Sequence, residues 1–427
     1  MVSLSADLDF RGLIHQVSDP ELRRMLDAGG LTAYVGFDPS ANTLHVGNLL
    51  QLCLLRRLQA AGHRPIVVAG GGTGRIGDPG GKDAERPLLG ADQLRENLAG
   101  IRVQLERFLD FSPGAAHPAL MLDNADWLAG LSFIDFLRDV GKHFTVNQMV
   151  AKESVRSRFE RAEQGISFTE FAYMLVQAYD FLHLFDTYGC RLQMGGSDQW
   201  GNIVTGVELI RRARGESAYA LTTPLITRAD GTKFGKSESG AVFLDPKATS
   251  PYAFYQYFFR TEDAVVGSYL RMLTFLPHDE IVDLDRSTAQ RPGERAAQRA
   301  LARALTDLVH GPDETGRVER AAAALYSEDI ASLDEATLLM VVEDAPVTTV
   351  ERAALGGDGL DLVSLLVDSR LSPSRGAART AISQGGVYVN NRRAPADGAR
   401  VTEADVVAGR YVLVRRGRRE VHLVQLA

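Results

Sequence analysis

Three short runs in this chain carry side chains suited to holding phosphates and a small polar ligand. His45-Val46-Gly47-Asn48 opens an apolar-periodic stretch, and a helix N-terminus there would offer unpaired N–H groups to an anion. Gly47 lets a ligand approach the backbone, while Ser40 and His45 can donate toward phosphate oxygens. Far downstream, Lys233-Phe234-Gly235-Lys236-Ser237 follows a turn at Gly231. Two ammonium groups and a hydroxyl on a glycine-hinged loop suit a clamp on phosphates. Between them Tyr173, Gln177 and Asp180 fall at i, i+4 and i+7, so one helix face presents all three. Taken singly, each run has a plainer reading: a structural histidine at a helix start, an exposed basic loop, and an amphipathic core helix with tyrosine at its edge.

The glycine-rich run at 70–82, GGGTGRIGDPGGK, contains Gly72, Gly74 and Gly77 at the spacing of a dinucleotide fingerprint. The fingerprint needs a helix to start among its glycines, and Asp78-Pro79-Gly80-Gly81 follows instead. Asp78 would also bring a negative charge close to a pyrophosphate. A Walker-type loop fails as well, because Ile76 stands where its first glycine belongs and Asp83 replaces the hydroxyl residue.

The elements that must position these groups can be read coarsely. A strand at 31–37, a turn at 38–42, a helix from His45 to Gly62 and a buried strand at 64–69 form the opening βαβ unit of a doubly wound α/β fold. Tyr34 lies in the first of these strands. Helices are expected at 93–109, 132–140, 147–163, 168–185 and 200–214, with a strand and its exit at 121–128 and another strand at 191–194 running into Gly195-Gly196-Ser197-Asp198-Gln199. From Pro251 to about residue 340 the pattern is helical. A weakly patterned segment at 344–359 reads as a linker.

The 427 residues exceed one ordinary core, and at roughly 150 residues per domain suggest about two to four domains. An apolar content of 45% and a charged content of 24% fit a soluble globular protein. Neither a secretory leader nor a membrane span is evident. Cys53 and Cys190 have no metal-type partner at short spacing, so no metal site is expected and the thiols fit a reduced cytosol. The net charge of −7 is unevenly spread: residues 361–427 carry 11 Arg, no Lys and 6 acids, a net of +5. A basic tail on an acidic body suggests a polyanion-binding module, the alternative being a solvated charged tail.

The histidine run and the Lys-x-x-Lys-Ser loop resemble the two nucleotide-handling motifs of class I aminoacyl-tRNA synthetases. Tyr34, the Tyr173/Gln177/Asp180 face and the string GGSDQWGN at 195–202 are similar to the amino-acid pocket of bacterial-type tyrosyl-tRNA synthetases. The resemblance runs nearly full length. It implies a Rossmann-like, doubly wound parallel sheet at 1–222, a helical domain at 223–343, the linker at 344–359 and a small C-terminal α+β RNA-binding domain at 360–427. It implies catalytic roles for Ser40, His45, Asn48, Lys82, Arg86, Lys233, Lys236 and Ser237. Tyrosine would meet Tyr34, Asp78, Tyr173, Gln177, Asp180 and Gln193. ATP would meet Gly36, Asp38, His45, Gly47, Gly196, Asp198, Gln199 and Lys236. Asn48 departs from the family's usual histidine: it can still donate a hydrogen bond but cannot be cationic.

In the tail, Arg375 and Arg379 lie at i, i+4 on a short helix, which resembles a small RNA-binding fold first recognised in a ribosomal protein. Arg415 and Arg416, with Arg418 and Arg419, would extend that surface, where phosphate contacts should dominate. The implied reaction uses ATP with Mg²⁺ as substrate, with no tightly bound cofactor, to make tyrosyl-adenylate and then charge tyrosine tRNA. The implied assembly is a cytoplasmic homodimer that avoids membranes. Two other readings stay in view. A tryptophan-specific synthetase is disfavoured by Tyr34 with Asp180. A nicotinamide-dependent dehydrogenase would explain Gly72/Gly74/Gly77 and nothing downstream.

Overall fold

The structure is a computed structural model that describes residues 2–39, 41–76, 90–150, 152, 156, 166–232, 234–237, 240–324, 327–343, 345–417 and 420–427. The chain forms two compact units, the first comprising Met1–Thr249 and Tyr257–Val309, the second Ser250–Gln256 and His310–Ala427.

The first unit is built on a sheet of β1 (Gln16–Val17), β2 (Thr32–Phe37), β3 (Arg64–Ala69), β4 (Leu120–Asp123), β5 (Cys190–Gly196) and β6 (Tyr219–Thr223). Its order is β1-β6-β5-β2-β3-β4. β2 to β6 run parallel; β3 and β6 are buried almost throughout, as the RPIVVA sequence of β3 requires, while β4 at the edge is half-buried. The parallel sheet expected from sequence needs one correction: β1 pairs antiparallel with β6 at the edge, and its two residues carry no strand pattern. The chain progresses from β2 outward to β4 on one side and places β5 and β6 on the other. The C-terminal ends of β2 and β5 therefore flank the switch point where open parallel sheets take ligands.

Helix Leu49–Ala60 joins β2 to β3, and helix Ala91–Leu105 precedes β4. Helix Phe168–Tyr188 starts with a reciprocal cap, Ser167 accepting from the Glu170 N–H and Glu170 from that of Ser167, and ends at Gly189 with φ 64°. Helix Trp200–Arg214 follows β5 and stops at Gly215 with φ 72°. Tyr34, Ile66, Val68, Met174, Ala178, Phe181, Leu209 and Ile210 share one apolar core between sheet and helices. Of the helix expected at 147–163, Val146–Val150 is described and 153–155 and 157–163 lie outside the described residues. A short hairpin, β7 (Lys236–Ser237) with β8 (Gly240–Ala241), holds the last two residues of the Lys-x-x-Lys-Ser run.

The second unit contains helices Pro312–Ala324 and Glu335–Val341. Its strands are β9 (Val347–Val350), β10 (Leu360–Asp361), β11 (Val387–Val389), β12 (Arg392–Arg393), β13 (Arg400–Val401), β14 (Tyr411–Arg416) and β15 (Glu420–Leu426). Five form a sheet of order β12-β11-β14-β15-β9, while β10 pairs with β13. Helices Leu362–Asp368 and Arg375–Ser383 are capped by Asp361 and Ser374 and bury Leu365, Leu366, Ala378 and Ile382 against Val387, Val412 and Val414.

The expected linker at 344–359 is overturned here. Val347–Val350 is a β-branched strand lying parallel to β15, and Arg352–Leu355 is a helical turn. The helices before it are not a separate domain either: Ile330, Leu338 and Val341 share a core with Tyr411, Leu413 and Leu423.

Candidate active site

The residues expected to form the amino-acid pocket gather where β2 meets helix Phe168–Tyr188. Tyr34, 2% exposed, packs its ring 5.4 Å from that of Phe181. Its hydroxyl has no hydrogen-bond partner among the described residues. Burial pushes the Tyr34 phenol well above its ordinary pKa, and the charge of Asp180 adds to the rise, as Tyr173 does more weakly. The structure therefore brings Tyr34, Asp180 and Tyr173 together. Asp180 is 4% exposed. Its Oδ1 accepts from Trp127 Nε1 at 2.7 Å and its Oδ2 from Asn124 Nδ2 at 3.0 Å. Burial pushes this carboxyl up to about 7, the bonds from Asn124 and Trp127 pull it down, and Asp123 adds to the rise.

Asn124 and Trp127 escaped the sequence reading. Asn124, 1% exposed, uses all of its amide: Oδ1 accepts from Gly72 N at 2.7 Å and Thr73 N at 3.3 Å, while Nδ2 donates to Thr73 Oγ1 at 2.9 Å and to Asp180. It thus ties the glycine turn to the pocket. The signal was available: both residues follow the C-terminal end of β4. The Gly72 N–H is taken by Asn124, and Thr73–Arg75 forms a single 3₁₀ turn, so no α-helix starts among the described glycines of this run, Gly70 to Gly74.

One turn below Tyr173, Gln177 accepts from Asn202 Nδ2 at 3.0 Å and donates to Gln199 Oε1 at 3.4 Å. That links the helix to the GGSDQWGN run. Gln193, opposite Tyr34 across β2 and β5, is buried with its Oε1 unpartnered among the described residues. A Cβ on Gly196 would sit 2.5 Å from Asp198 Oδ1, so the carboxylate of Asp198 would have to shift. Asp198 itself is exposed.

The two segments expected to handle the nucleotide meet backbone to backbone. His45 is extended, not the first residue of a helix; Val46–Asn48 makes a 3₁₀ turn and the helix begins at Leu49. Asn48 Oδ1 accepts from the His45 N–H at 3.0 Å, so this departure from the usual histidine also pins the turn. A Cβ on Gly47 would sit 2.7 Å from the His45 ring, so the imidazole would have to shift. Val46 N donates to Val242 O at 2.9 Å, and Leu244 N to Leu44 O at 2.8 Å. Gly235, at φ 92°, lies against Val46 and Gly47, its N–H bonded to the Tyr257 hydroxyl at 3.0 Å. Upstream, Gly36 in β2 pairs with Val68, and Asp38 lies beside Gly70.

Ser40, Asp78, Lys82, Arg86 and Lys233 lie outside the described residues, as do the side chains of Lys236 and Ser237. Among the described residues no group of three or more His, Cys, Asp or Glu could hold a metal ion.

In the second unit, Arg375 is exposed and donates to Ser364 Oγ at 2.7 Å, and Arg379 is exposed on the same helix. Arg416 is half-buried and donates to Leu371 O at 2.6 Å. Arg415 departs from expectation: it is 8% exposed, with its guanidinium 4.8 Å over the Tyr388 ring. Successive residues of a strand face opposite ways, so Arg415 and Arg416 cannot share one surface. Arg418 and Arg419 lie outside the described residues.

Comparisons with known proteins identify the family. Residues 27–327 match the family of class I tRNA synthetases (W and Y), and residues 340–424 match the tyrosine–tRNA ligase SYY-like C-terminal domain. The chain is 52% identical over 426 residues to a tyrosine–tRNA ligase of Roseiflexus castenholzii, covering 100% of both chains. It is 49% identical over 428 residues to that of Bacillus caldotenax, again covering 100% of both. A solved, C-terminally truncated mitochondrial tyrosyl-tRNA synthetase of Aspergillus nidulans superposes with TM-score 0.68 at 32% identity, covering 76% of this chain and 95% of that one. The tryptophan and dehydrogenase readings are thereby set aside. The chain belongs to the class I tRNA synthetases, on their tyrosine branch, and is an ATP-using ligase that joins tyrosine to tRNA.

Proposed function

We propose that tyrosine lies with its phenol between Tyr34 and Asp180. The observation that carries this is the pair at the pocket floor: a buried Tyr34 hydroxyl without a partner among the described residues, and beside it a buried carboxylate fixed by two donors yet able to accept again. The substrate phenol donates to Asp180 and accepts from Tyr34. A phenylalanine ring would leave both groups unpaired, which is costly for buried polar atoms. Tyr173 and Gln177, with Asp78, take the α-ammonium, and Gln193 lies toward the aminoacyl end.

ATP lies over Gly36, Asp38, His45 and Gly47, with Gly196, Asp198 and Gln199 on the ribose side. Tyrosine's carboxylate oxygen attacks the α-phosphorus, the bond to the bridging oxygen breaks, and pyrophosphate leaves with the electron pair. The nucleophile is already ionised, so positioning and donors aimed at the transferring phosphoryl group do the work. Ser40, His45, Asn48, Lys82, Arg86, Lys233, Lys236 and Ser237 supply them. Mg²⁺ travels with the triphosphate. A hydroxyl of the terminal adenosine of tyrosine tRNA then attacks the carbonyl, and AMP leaves.

Arg375, Arg379 and Arg416 contact tRNA phosphates. The enzyme acts as a cytoplasmic homodimer. Support for the dimer comes from Phe133, Ile134, Leu137, Val146 and Phe168, all exposed on the first unit. No helix among the described residues is long and apolar enough to cross a membrane.

The test is ATP–pyrophosphate exchange with each of the twenty amino acids. Tyrosine alone should support fast exchange. Equal exchange with phenylalanine would remove the pocket assignment.

A further inference from the structure

Helix Ala91–Leu105 turns a polar edge toward the chain that leads into His45. Asn97 Nδ2 donates to the carbonyl of Pro39 at 2.8 Å. Two turns on, Gln104 Oε1 accepts from the Leu44 N–H at 2.9 Å and from the Thr43 hydroxyl at 3.2 Å, while its Nε2 reaches the Asn42 carbonyl at 3.4 Å. Between them, any side chain at Gly100 would overlap the Asn42 carbonyl oxygen. Positions 97, 100 and 104 fall at i, i+3 and i+7, so one face of one helix meets the backbone at Pro39 and at Asn42–Leu44. Gln93 Nε2 donates to Asn97 Oδ1 at 3.1 Å and fixes that amide in turn. Asn97 and Gln104 are both buried.

Burying an amide is unfavourable unless it is fully partnered. An apolar contact would hold the loop against the helix without fixing its height or its direction along the axis. Hydrogen bonds to named carbonyls and to one N–H fix both. The same stretch is also bonded to the segment at 242–244, through Leu44 and Val46. The described backbone at Pro39 and Asn42–Leu44, which leads into His45, is therefore held by both the helix and the 242–244 segment.

We propose that Asn97 and Gln104 are positioning residues for adenylate formation, setting the height of the Ser40–His45 segment over the transferring phosphoryl group. The inference rests on the reading of that segment as the nucleotide's place. Neither residue touches substrate. Both act through the backbone they hold.

The experiment compares ATP kinetics with tyrosine affinity in the full-length protein. Gln104→Met keeps length and loses every hydrogen bond. It should slow adenylate formation or raise the KM for ATP, together reaching as much as about 100-fold, because small misplacements of reacting groups carry penalties of that size. Equilibrium tyrosine binding should stay at the parent value. Asn97→Ala should show the same split more weakly, and it carries the test if Gln104→Met fails to fold, as judged by thermal unfolding. Tyrosine affinity and the ATP step falling together would mean general loosening and would overturn the proposal, as would unchanged ATP kinetics in both variants. His45→Ala is measured alongside. If it leaves ATP kinetics unchanged, the nucleotide reading itself falls; if it is slow while the two amide variants are normal, only the positioning role falls.

Discussion

The indole N–H of Trp127 donates to Oδ1 of Asp180 over 2.7 Å. The carboxylate assigned to the substrate phenol is therefore held by a residue 53 positions earlier in the chain, and its charge state is set by burial working against that bond. The phenol needs the ionised form as its acceptor. Tyrosine affinity should weaken as pH falls below about 7. Trp127→Phe removes one of the two donors that lower this pKa, so the midpoint should move upward. Stability of the free protein runs the other way. A carboxyl with a raised folded pKa stabilises fully below its ordinary 3.8, and that contribution disappears as pH rises through about 7. Calorimetric titration with tyrosine on both sides of neutrality reads the first effect and thermal unfolding the second; a flat binding profile would remove Asp180 from the phenol.

Asp180→Ala leaves Trp127 and Asn124 without their acceptor and the substrate phenol without its own. Tyrosine-dependent pyrophosphate exchange should collapse. Normal exchange by a folded variant would reassign the pocket.

Tyr34→Phe removes a buried hydroxyl that has no partner among the described residues. The free protein should be as stable as the parent or more stable, by up to about 1–3 kcal/mol, the range for an unsatisfied buried polar group. Discrimination against phenylalanine should fall at the same time. A clear loss of stability in urea unfolding would show that the hydroxyl is bonded in solution.

Gly235→Ala puts a side chain at φ 92°, with its Cβ 3.2 Å from Val46 Cγ2 and 3.4 Å from Gly47 N. Something must move, and the nearest backbone is that of the histidine run. Adenylate formation should slow, tyrosine affinity should hold, and stability should fall by roughly 1 kcal/mol or more. Equal losses in both activities would argue against contact between the two runs as the cause.

A chain ending at residue 345 keeps every amino-acid and nucleotide residue and should keep pyrophosphate exchange while losing tRNA charging. It should also bind hydrophobic dyes, because Ile330, Leu338 and Val341 lose Tyr411, Leu413 and Leu423 from their shared core. Normal charging would mean the basic tail is not the tRNA anchor.

What sequence revealed and what it hid have physical causes. The β3 bounds 64–69 were legible because a buried parallel strand is a plain apolar run. Helix 200–214 was legible because a glycine stops it. Tyr173, Gln177 and Asp180 announced themselves by spacing. Asn124 and Trp127 did not, because their partners are distant in sequence and the short DNADWL segment has no period. The strand at 347–350 was lost among flanking Asp, Pro and Gly residues, although Val-Thr-Thr-Val is β-branched throughout. Arg415 was misplaced for a simpler reason: strand alternation was not applied to adjacent arginines.

The amide of Asn124 leaves its codon almost no freedom. Two hydrogens and two lone pairs are each committed to a different atom, so its orientation admits no flip. Aspartate would forfeit both donors and set a second charge against Asp180; leucine would match the shape and strand four groups at once. Any library built to retune this enzyme toward another amino acid should hold that position fixed while the pocket walls vary.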